Sequence, residues 1–163
     1  MILKEFKAPE WPNCTDPSAT KIFLAGTIDM GQSEDWQKQV VKRLDKDPDK
    51  YYVFNPRRDD FDPKAEQKFE DPYFYQQVNW ELTNLDNCDI ILMCLLGTSK
   101  SPISLLELGL YATTGKVILY CEDEFYRRGN LQVVCTKYKI PVFSSMKELL
   151  ESSSFKSLLR LDA

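Results

Sequence analysis

The fold of this chain is decided by residues 89–121, which read DIILMCLLGTSKSPISLLELGLYATTGKVILYC. The stretch opens with an uninterrupted apolar run, continues with a helical pattern that begins at Pro102, and ends with a second apolar run, Val117–Cys121. Strands without polar alternation are covered on both faces, and a helix between two of them joins parallel neighbours. Gly115 follows the helical pattern, as glycine does at many helix ends. The stretch therefore predicts two buried, parallel strands of an α/β sheet.

The same alternation continues on both sides of this stretch. Further short apolar runs predict three more strands, at 21–25, 51–54 and 140–143. Helical spacing of apolar residues predicts three more helices, at about 34–45, 73–85 and 146–161. The first 20 residues carry three prolines and predict an irregular arm. We therefore expect one α/β domain over residues 1–163, with a flavodoxin- or Rossmann-like open sheet of five parallel strands and helices on both faces.

The composition narrows the chemistry that this chain can perform. The 163 residues include no histidine, which excludes Ser-His-Asp and Cys-His catalysis and histidine-ligated zinc. The net charge of −4, from 21 basic and 25 acidic residues, argues against broad binding to a nucleic-acid backbone. Any chemistry must therefore use carboxylates, tyrosines, cysteines, lysines or arginines.

Targeting signals and disulfide motifs are not expected from the sequence. The N-terminus has no apolar segment typical of a signal peptide, and no apolar run reaches the roughly 18 residues of a transmembrane helix. The five cysteines form no CxxC pair, and three of them lie in or beside apolar runs, where free thiols pack as small hydrophobic groups. These features predict a cytoplasmic protein with reduced thiols.

Three loops are expected at the ligand-binding edge of the sheet, because ligands of open parallel sheets bind beyond the carboxyl ends of the strands. These loops cover residues 26–31, 55–62 and 97–104. In the first, Gly26, Thr27 and Ile28 can present backbone amides to a ligand, although an ordinary strand-to-helix turn uses glycine as well. In the second, Asn55 and Arg57 directly follow a strand, and the charges there suit either an exposed loop or contact with a ligand.

Glu107 is a single carboxylate among aliphatic residues, and two interpretations of it are open. In one, Ser104 caps a helix and Glu107 completes a capping box. In the other, Ser101 and Pro102 begin the helix, so Glu107 lies deeper, where its burial would be costly without a partner or a functional role. A helix N-terminus nearby would help to keep such a carboxylate ionised, as a nucleophile must be.

Glu81 is a second carboxylate, on the helix predicted before the third strand. It borders the stripe of Val78, Leu82 and Leu85, which their spacing predicts to be buried. It can belong to an exposed helix face, where glutamate is common. It can also face a substrate, because this position lies towards the ligand-binding edge of the sheet.

Five short motifs occur in a fixed order along the chain. They are Lys21-Ile-Phe-Leu-Ala-Gly26, Val53-Phe-Asn-Pro-Arg57, Gln77-Val-Asn-Trp-Glu81, Asp89-Ile-Ile-Leu92 and Glu107-Leu-Gly-Leu-Tyr-Ala112 with Lys116. In this order and spacing, over roughly residues 21–143, the chain resembles the nucleoside 2-deoxyribosyltransferase family. The resemblance implies a flavodoxin-like fold and the transfer of a deoxyribosyl group between nucleobases, without a metal or an organic cofactor.

The resemblance also implies roles for individual residues. Glu107 matches the family's catalytic glutamate, which attacks the sugar carbon C1′ and forms a covalent intermediate. Glu81 lies where many members have aspartate, and it would orient or protonate the base. Ser101 lies where transferases have aspartate and a related hydrolase has serine, and Phe23 lies where some members have a tyrosine near the nucleophile. Asn130 matches an asparagine that reaches into the neighbouring subunit's site and holds the sugar 5′-hydroxyl.

The leading interpretation is a transferase whose partners are a deoxynucleoside and a free nucleobase, with no nucleic-acid or membrane partner. We expect a homodimer or a larger homo-oligomer, because Asn130 would act across an interface and the apolar run Leu131–Cys135 needs covering. One alternative is a hydrolase of deoxynucleoside 5′-monophosphates, with Arg57 or Arg58 on the phosphate. Another is a nucleotide-binding module without turnover, if Glu107 is only a capping residue.

Overall fold

A computed structural model describes residues 1–60, 62 and 64–159, and this part of the chain contains six strands and six α-helices. The strands are β1 (Ile2–Lys7), β2 (Thr20–Gly26), β3 (Tyr51–Asn55), β4 (Ile90–Leu95), β5 (Val117–Cys121) and β6 (Val142–Phe143). The helices are α1 (Trp36–Leu44), α2 (Pro72–Asn87), α3 (Pro102–Tyr111), α4 (Arg128–Tyr138), α5 (Met146–Glu151) and α6 (Ser153–Leu158), and a short 3₁₀ turn spans Asp29–Gly31. All strand pairs are parallel, in the order β1-β3-β2-β4-β5-β6.

The parallel α/β sheet agrees with the sequence analysis, but it has six strands rather than five. The additional strand, β1, lies in residues expected to form an irregular arm, and it pairs with β3 in a register that joins Glu5 to Val53. The apolar-run criterion missed β1 because Lys4, Glu5 and Lys7 interrupt its apolar residues. Its one fully buried residue, Phe6, packs on Tyr52 and Phe54 with ring centroids 6.0 and 6.1 Å apart. Charged side chains on such an edge strand also disfavour pairing with another sheet.

The predicted helices are present, with two differences towards the C-terminus. The expected final helix is two shorter ones that separate at Ser152, and its predicted end at residue 161 lies outside the described residues. The run Leu131–Cys135 belongs to α4, which the sequence analysis did not predict. Within α4, Leu131 and Cys135 are buried in the chain's own core, whereas Val133 is 71% exposed. This run is therefore not an uncovered apolar patch, and it gives no reason to expect an oligomer.

Two helical layers cover the sheet. Helices α1, α5 and α6 pack on one face through a cluster that includes Trp36 and Phe155. Helices α2, α3 and α4 pack on the other face through a cluster that includes Trp80 and Leu108. Strands β3 and β4 are buried along their whole length, as expected for parallel strands with both faces covered. No helix in the described ranges is long and apolar enough to cross a membrane.

The chain leaves two neighbouring strands towards opposite faces of the sheet, and we call the space beyond this divergence the crevice. Strand β2 leads to α1, and its neighbour β4 leads to α3 on the other face. Doubly wound folds usually bind ligands at such a divergence. Gly26 ends β2 there with φ +132°, and a β-carbon on it would lie 2.0 Å from the Cys94 carbonyl oxygen of β4. Glycine is therefore required for the two strands to stay paired up to the edge of the crevice.

Candidate active site

Three buried hydroxyl groups meet where the loops after β2 and β4 face each other. The Oγ1 atom of Thr27 lies 2.6 Å from Oγ of Ser101, which lies 3.0 Å from Oγ of Ser99. The Ser99 hydroxyl donates to Oδ1 of Asp29 at 2.6 Å. The backbone N–H of Leu96 donates to Thr27 Oγ1 at 3.1 Å, which anchors this hydroxyl cluster to the end of β4. These bonds hold the loop that contains Asp29 against the loop that leads into α3.

Helix α3 begins at Ser101 and Pro102, so the capping-box interpretation of Glu107 is wrong. Ser101 is the N-cap residue with φ +43°, and its hydroxyl bonds to the hydroxyl cluster instead of capping the helix. Pro102 takes the first helical position, where no N–H is needed. Glu107 therefore lies in the second turn and, like Ser104 one turn before it, is buried. The helix dipole acts mainly on the first turn, so it stabilises an ionised Glu107 less than the sequence suggested.

The Glu107 carboxyl is buried without a compensating partner. The residue is 8% exposed, and no hydrogen-bond donor or cation from the described ranges contacts its carboxyl. Burial, and to a smaller extent the nearby negative charge of Glu81, together raise the pKa of Glu107 to about 8. A buried carboxyl of this kind is costly for the fold, which is a common property of catalytic groups.

Glu81 is partly buried on α2 and is not part of the exposed helix face. Of the stripe predicted beside it, Leu85 is buried, whereas Leu82 is 38% exposed. Burial raises the pKa of Glu81 to about 7, against the opposing effect of a hydrogen bond that Gln77 Nε2 donates to Glu81 Oε1 at 2.7 Å. Gln77 Nε2 also donates to the carbonyl oxygen of Pro56 at 3.0 Å, which links α2 to the loop after β3. Gln77, itself held by the loop after β3, therefore fixes the position of the Glu81 carboxyl on α2.

Together these two carboxyls can perform acid–base and nucleophilic chemistry. Burial raises both pKa values towards neutrality, and the charge of Glu81 further disfavours the ionised form of Glu107, so Glu107 holds its proton more tightly than Glu81 does. Such a pair offers one carboxylate for attack and one carboxylic acid for proton donation. Within residues 1–60, 62 and 64–159, no three acidic or cysteine side chains converge as metal ligands would.

The two polar residues predicted after β3 hold the loops of the site and are not free for a ligand. The Asn55 side chain donates to Glu5 Oε1 at 2.6 Å and accepts the backbone N–H of Arg57 at 3.0 Å. The Arg57 guanidinium donates to the carbonyl oxygens of Gly31 at 2.8 Å and Ser33 at 2.7 Å. Arg57 therefore orders the loop between β2 and α1.

The residues predicted at β2 divide between the core and the crevice. Phe23 is fully buried and packs on Trp80 with ring centroids 6.2 Å apart, so it has no surface for a ligand. Gly26 and Thr27 lie at the end of the strand, where the Thr27 N–H donates to the Cys94 carbonyl at 2.9 Å. Ile28 is partly buried and precedes the 3₁₀ turn.

Asn130 lies apart from these residues, in the first turn of α4. It is exposed in the single chain. Its predicted role requires a neighbouring subunit and stays a prediction.

Three residues of the site were missed by reasoning from the sequence. Asp29 and Ser99 lie inside two of the predicted loops, but nothing in their spacing indicates that they bond to each other. Gln77 lies four residues before Glu81, which is a spacing that places two helical side chains side by side. That spacing could have identified Gln77 as a partner of Glu81.

One solved structure with a similar fold is described as the crystal structure of conserved protein from Enterococcus faecalis V583. It is 16% identical with a TM-score of 0.59, and the match covers 85% of this chain and 99% of that chain. At this identity the likeness concerns the fold alone. No curated protein matches the sequence.

A protein-family model described as "Nucleoside 2-deoxyribosyltransferase like" matches residues 19–125. The match includes Glu81, Glu107 and the hydroxyl cluster, whereas Asn130 lies beyond it. It covers more than half of the 163 residues. The chain therefore belongs to the nucleoside 2-deoxyribosyltransferase-like family, as the ordered motifs in its sequence predict.

Proposed function

We propose that this protein is a nucleoside 2-deoxyribosyltransferase, which moves a 2-deoxyribosyl group from one nucleobase to another through Glu107. The observation that carries the proposal is the pair of neighbouring carboxyls, Glu81 and Glu107, whose pKa values are both raised by burial. Retaining transfer of a glycosyl group requires two carboxyls, one as nucleophile and one as acid and base. Family membership supports a glycosyl-transfer reaction on nucleosides.

The first half-reaction starts with a proton on Glu107, which has the higher pKa of the two carboxyls. Gln77 donates to Glu81 and so favours its ionised form, which leaves the proton on Glu107 in the free protein. Substrate binding therefore has to move this proton from Glu107 to Glu81. The Glu107 carboxylate then forms a bond to C1′, while the C1′–N bond breaks and Glu81 gives its proton to the departing base nitrogen. The products are a deoxyribosyl ester of Glu107 and a neutral free base.

The second half-reaction reverses these steps with a different base. The acceptor base gives an N–H proton to Glu81, and its nitrogen attacks C1′ and displaces the Glu107 carboxylate. Two displacements at one carbon give net retention of configuration. Positive charge develops at C1′ in each step, and an electron-withdrawing 2′-hydroxyl would destabilise it. The mechanism therefore favours 2′-deoxynucleosides over ribonucleosides.

The sugar is assigned to the crevice between β2 and β4. The Ser101 hydroxyl and the backbone at Gly26–Ile28 border this crevice and supply its polar groups. Thr27 bonds to Ser101 at 2.6 Å and orients it. Arg57 supports the site indirectly through its bonds to the loop carbonyls. Phe23 supports it only as part of the core.

A second copy of the chain is assigned to an apolar face of α3. Ile103, Leu106 and Leu110 are 58%, 60% and 56% exposed, and their spacing places them on one side of the helix. Exposed apolar patches of this kind commonly mark interfaces, and a two-fold axis at α3 would pair the face with itself. Leu106 directly precedes Glu107, so this interface would lie beside the site. Asn130 is exposed and available to a partner's site.

Complementation tests the shared site. Glu107→Ala and Asn130→Ala proteins, each inactive alone, are mixed under conditions that allow subunits to exchange. In a mixed dimer one site draws both intact residues from different chains, so part of the activity should return. A monomer in light scattering, or no recovery after confirmed exchange, would show that Asn130 does not act across an interface.

One observation favours hydrolysis of deoxynucleoside 5′-monophosphates as the second candidate. Ser99, Ser101 and exposed Lys100 lie in the loop that leads into the N-terminus of α3, and such groups suit a phosphate. In this reaction water, rather than a second base, would displace Glu107 from C1′. The nucleotide-binding module depended on a capping role for Glu107 and loses that support.

The deciding experiment incubates the protein with a 2′-deoxynucleoside, with and without an acceptor base. Base exchange supports transfer, and release of free deoxyribose without exchange supports hydrolysis. With donor alone, the intact protein should gain the mass of one deoxyribosyl group, and Glu107→Ala should not. Glu70→Ala, at an exposed position, is the control and should behave as wild type. Activity of Glu107→Ala within about tenfold of wild type would exclude Glu107 as the nucleophile.

A further inference from the structure

We propose that Asp29 binds a hydroxyl of the sugar and thereby selects unphosphorylated deoxynucleosides against their 5′-monophosphates. The inference rests on the proposed function, since it names the substrate class of the same site. Asp29 lies in the loop after β2, at the edge of the crevice.

Within the described residues, only one of the two oxygens of the Asp29 carboxylate accepts a hydrogen bond. Oδ1 accepts the hydroxyl proton of Ser99 at 2.6 Å. In the described part of the chain, no group bonds to Oδ2 and no cation forms an ion pair with Asp29. The residue is exposed, so this second oxygen is accessible to a ligand in the crevice. A carboxylate oxygen without a cation is an acceptor for a hydroxyl group, which has a proton to donate.

The backbone presents this carboxylate from an ordered turn. Asp29 and Met30 have φ values of +48° and +52°, a left-handed conformation that is unfavourable for residues with a β-carbon. The surrounding bonds maintain it: the Gly31 N–H donates to the Ile28 carbonyl at 2.9 Å, and Arg57 donates to the Gly31 carbonyl at 2.8 Å. Binding a sugar hydroxyl therefore requires little further ordering of the turn.

The hydroxyl cluster links this turn to the reacting group. Ser99 bonds to Asp29 and also to Ser101, which begins α3. Glu107 lies six residues further along, about 9 Å at roughly 1.5 Å per residue. Helical side chains lean towards the N-terminus, which shortens the separation between the Glu107 carboxyl and the cluster. A deoxynucleoside with C1′ at Glu107 therefore extends its sugar hydroxyls towards Asp29.

Charge makes Asp29 selective. A 5′-phosphate carries up to two negative charges near neutral pH, so a neighbouring carboxylate repels it, whereas a neutral hydroxyl is attracted. The two arginines considered for a phosphate have other partners: Arg57 donates to loop carbonyls, and Arg58 forms two bonds with Asp60. Lys100 is exposed in the loop before α3, and a separate variant measures its contribution to binding a 5′-phosphate.

The test compares 2′-deoxyinosine and 2′-deoxycytidine with their 5′-monophosphates. Turnover is measured with wild type, and binding is measured by calorimetry with Glu107→Ala, which has no nucleophile. We expect wild type to prefer the nucleosides. Asp29→Asn keeps the size and one acceptor oxygen, and it should raise nucleoside KM and Kd about tenfold and reduce the preference over monophosphates at least tenfold.

Matched variants separate charge from position. Glu34→Gln removes the same charge from an exposed residue that bonds to Gln39 on α1, and it should leave the preference within about twofold of wild type. Lys100→Met removes the cation of the loop before α3, so it should weaken monophosphate binding and strengthen the preference for nucleosides. Ser99→Ala removes the bond that orients Asp29 and keeps its charge, so it should weaken nucleoside binding and retain discrimination against monophosphates. Thermal melts establish that each variant is folded.

The outcomes distinguish this inference from the proposed function. An unchanged preference in Asp29→Asn, or a wild-type preference for monophosphates, overturns the role of Asp29 even if base exchange occurs. A binding preference that depends on Asp29, without any turnover by wild type, supports this role and rejects the transferase. Failure of both ligand classes to bind folded Glu107→Ala rejects both.

Discussion

Replacing Glu107 by glutamine should stabilise the protein at alkaline pH while it abolishes turnover. Glutamine has nearly the same shape and no charge, so the variant isolates the cost of burying a carboxylate without a partner. Burial raises the pKa of Glu107 from 4.5 to about 8. At about 1.4 kcal/mol per pH unit this corresponds to roughly 5 kcal/mol, and we expect about 2–4 kcal/mol because the Glu81 charge and local relaxation account for part of it.

The direction of this pH dependence follows from the linkage between proton binding and folding. The folded protein binds the Glu107 proton more tightly than the unfolded chain does, since the pKa of Glu107 is raised in the fold. The contribution of this group to the free energy of unfolding is therefore fully present below pH 4.5 and is lost as the pH rises to about 8. The increase in the free energy of unfolding that Glu107→Gln produces should accordingly be small near pH 5 and largest near pH 9.

Urea unfolding of wild type and variant at these two pH values measures the difference. The midpoint should shift at constant m-value. Glu70→Gln, at an exposed position, is the control and should be neutral at both pH values. A variant that is less stable than wild type at pH 9, or a gain that does not depend on pH, would refute the conclusion that the fold disfavours the ionised form of Glu107.

Three further changes test other parts of the site. Gln77→Met removes the donor that favours ionised Glu81, so the pKa of Glu81 should rise above about 7. Because Glu81 has to be protonated to act as the acid, the alkaline limb of the pH–rate profile should move to higher pH, and an unmoved limb would contradict this. Arg57→Met should lower kcat/KM by about ten- to a hundredfold and the melting temperature by a few degrees, because loop carbonyls lose their donor; unchanged kinetics would remove Arg57 from the site. Leu106→Glu should give a monomer in light scattering if α3 forms the interface, whereas Phe69→Glu, at another exposed apolar position, should not.

The core of the fold could be predicted from short segments because burial leaves a local signal in them. Strands β3 and β4 are buried along their whole length, so nearly every residue in them is apolar. Strand β1 leaves no such signal, because pairing with β3, about 50 positions away, and the burial of Phe6 stabilise it. Helix α4 was missed for a related reason: only one side of Leu131–Cys135 is buried, and a run of five residues does not reveal which.

The sequence by itself determined the layered α/β class and the family, and it singled out Glu81 and Glu107 as candidates, since these depend on apolar periodicity and on an ordered set of motifs. Only the tertiary structure decided that Ser101 bonds to Thr27 across 74 positions and that Asp29 bonds to Ser99 across 70. It also decided that Arg57 holds a loop and that Phe23 belongs to the core. Hydrogen bonds and shifted pKa values depend on atoms that distant segments bring within a few ångströms, and local sequence carries no record of that proximity.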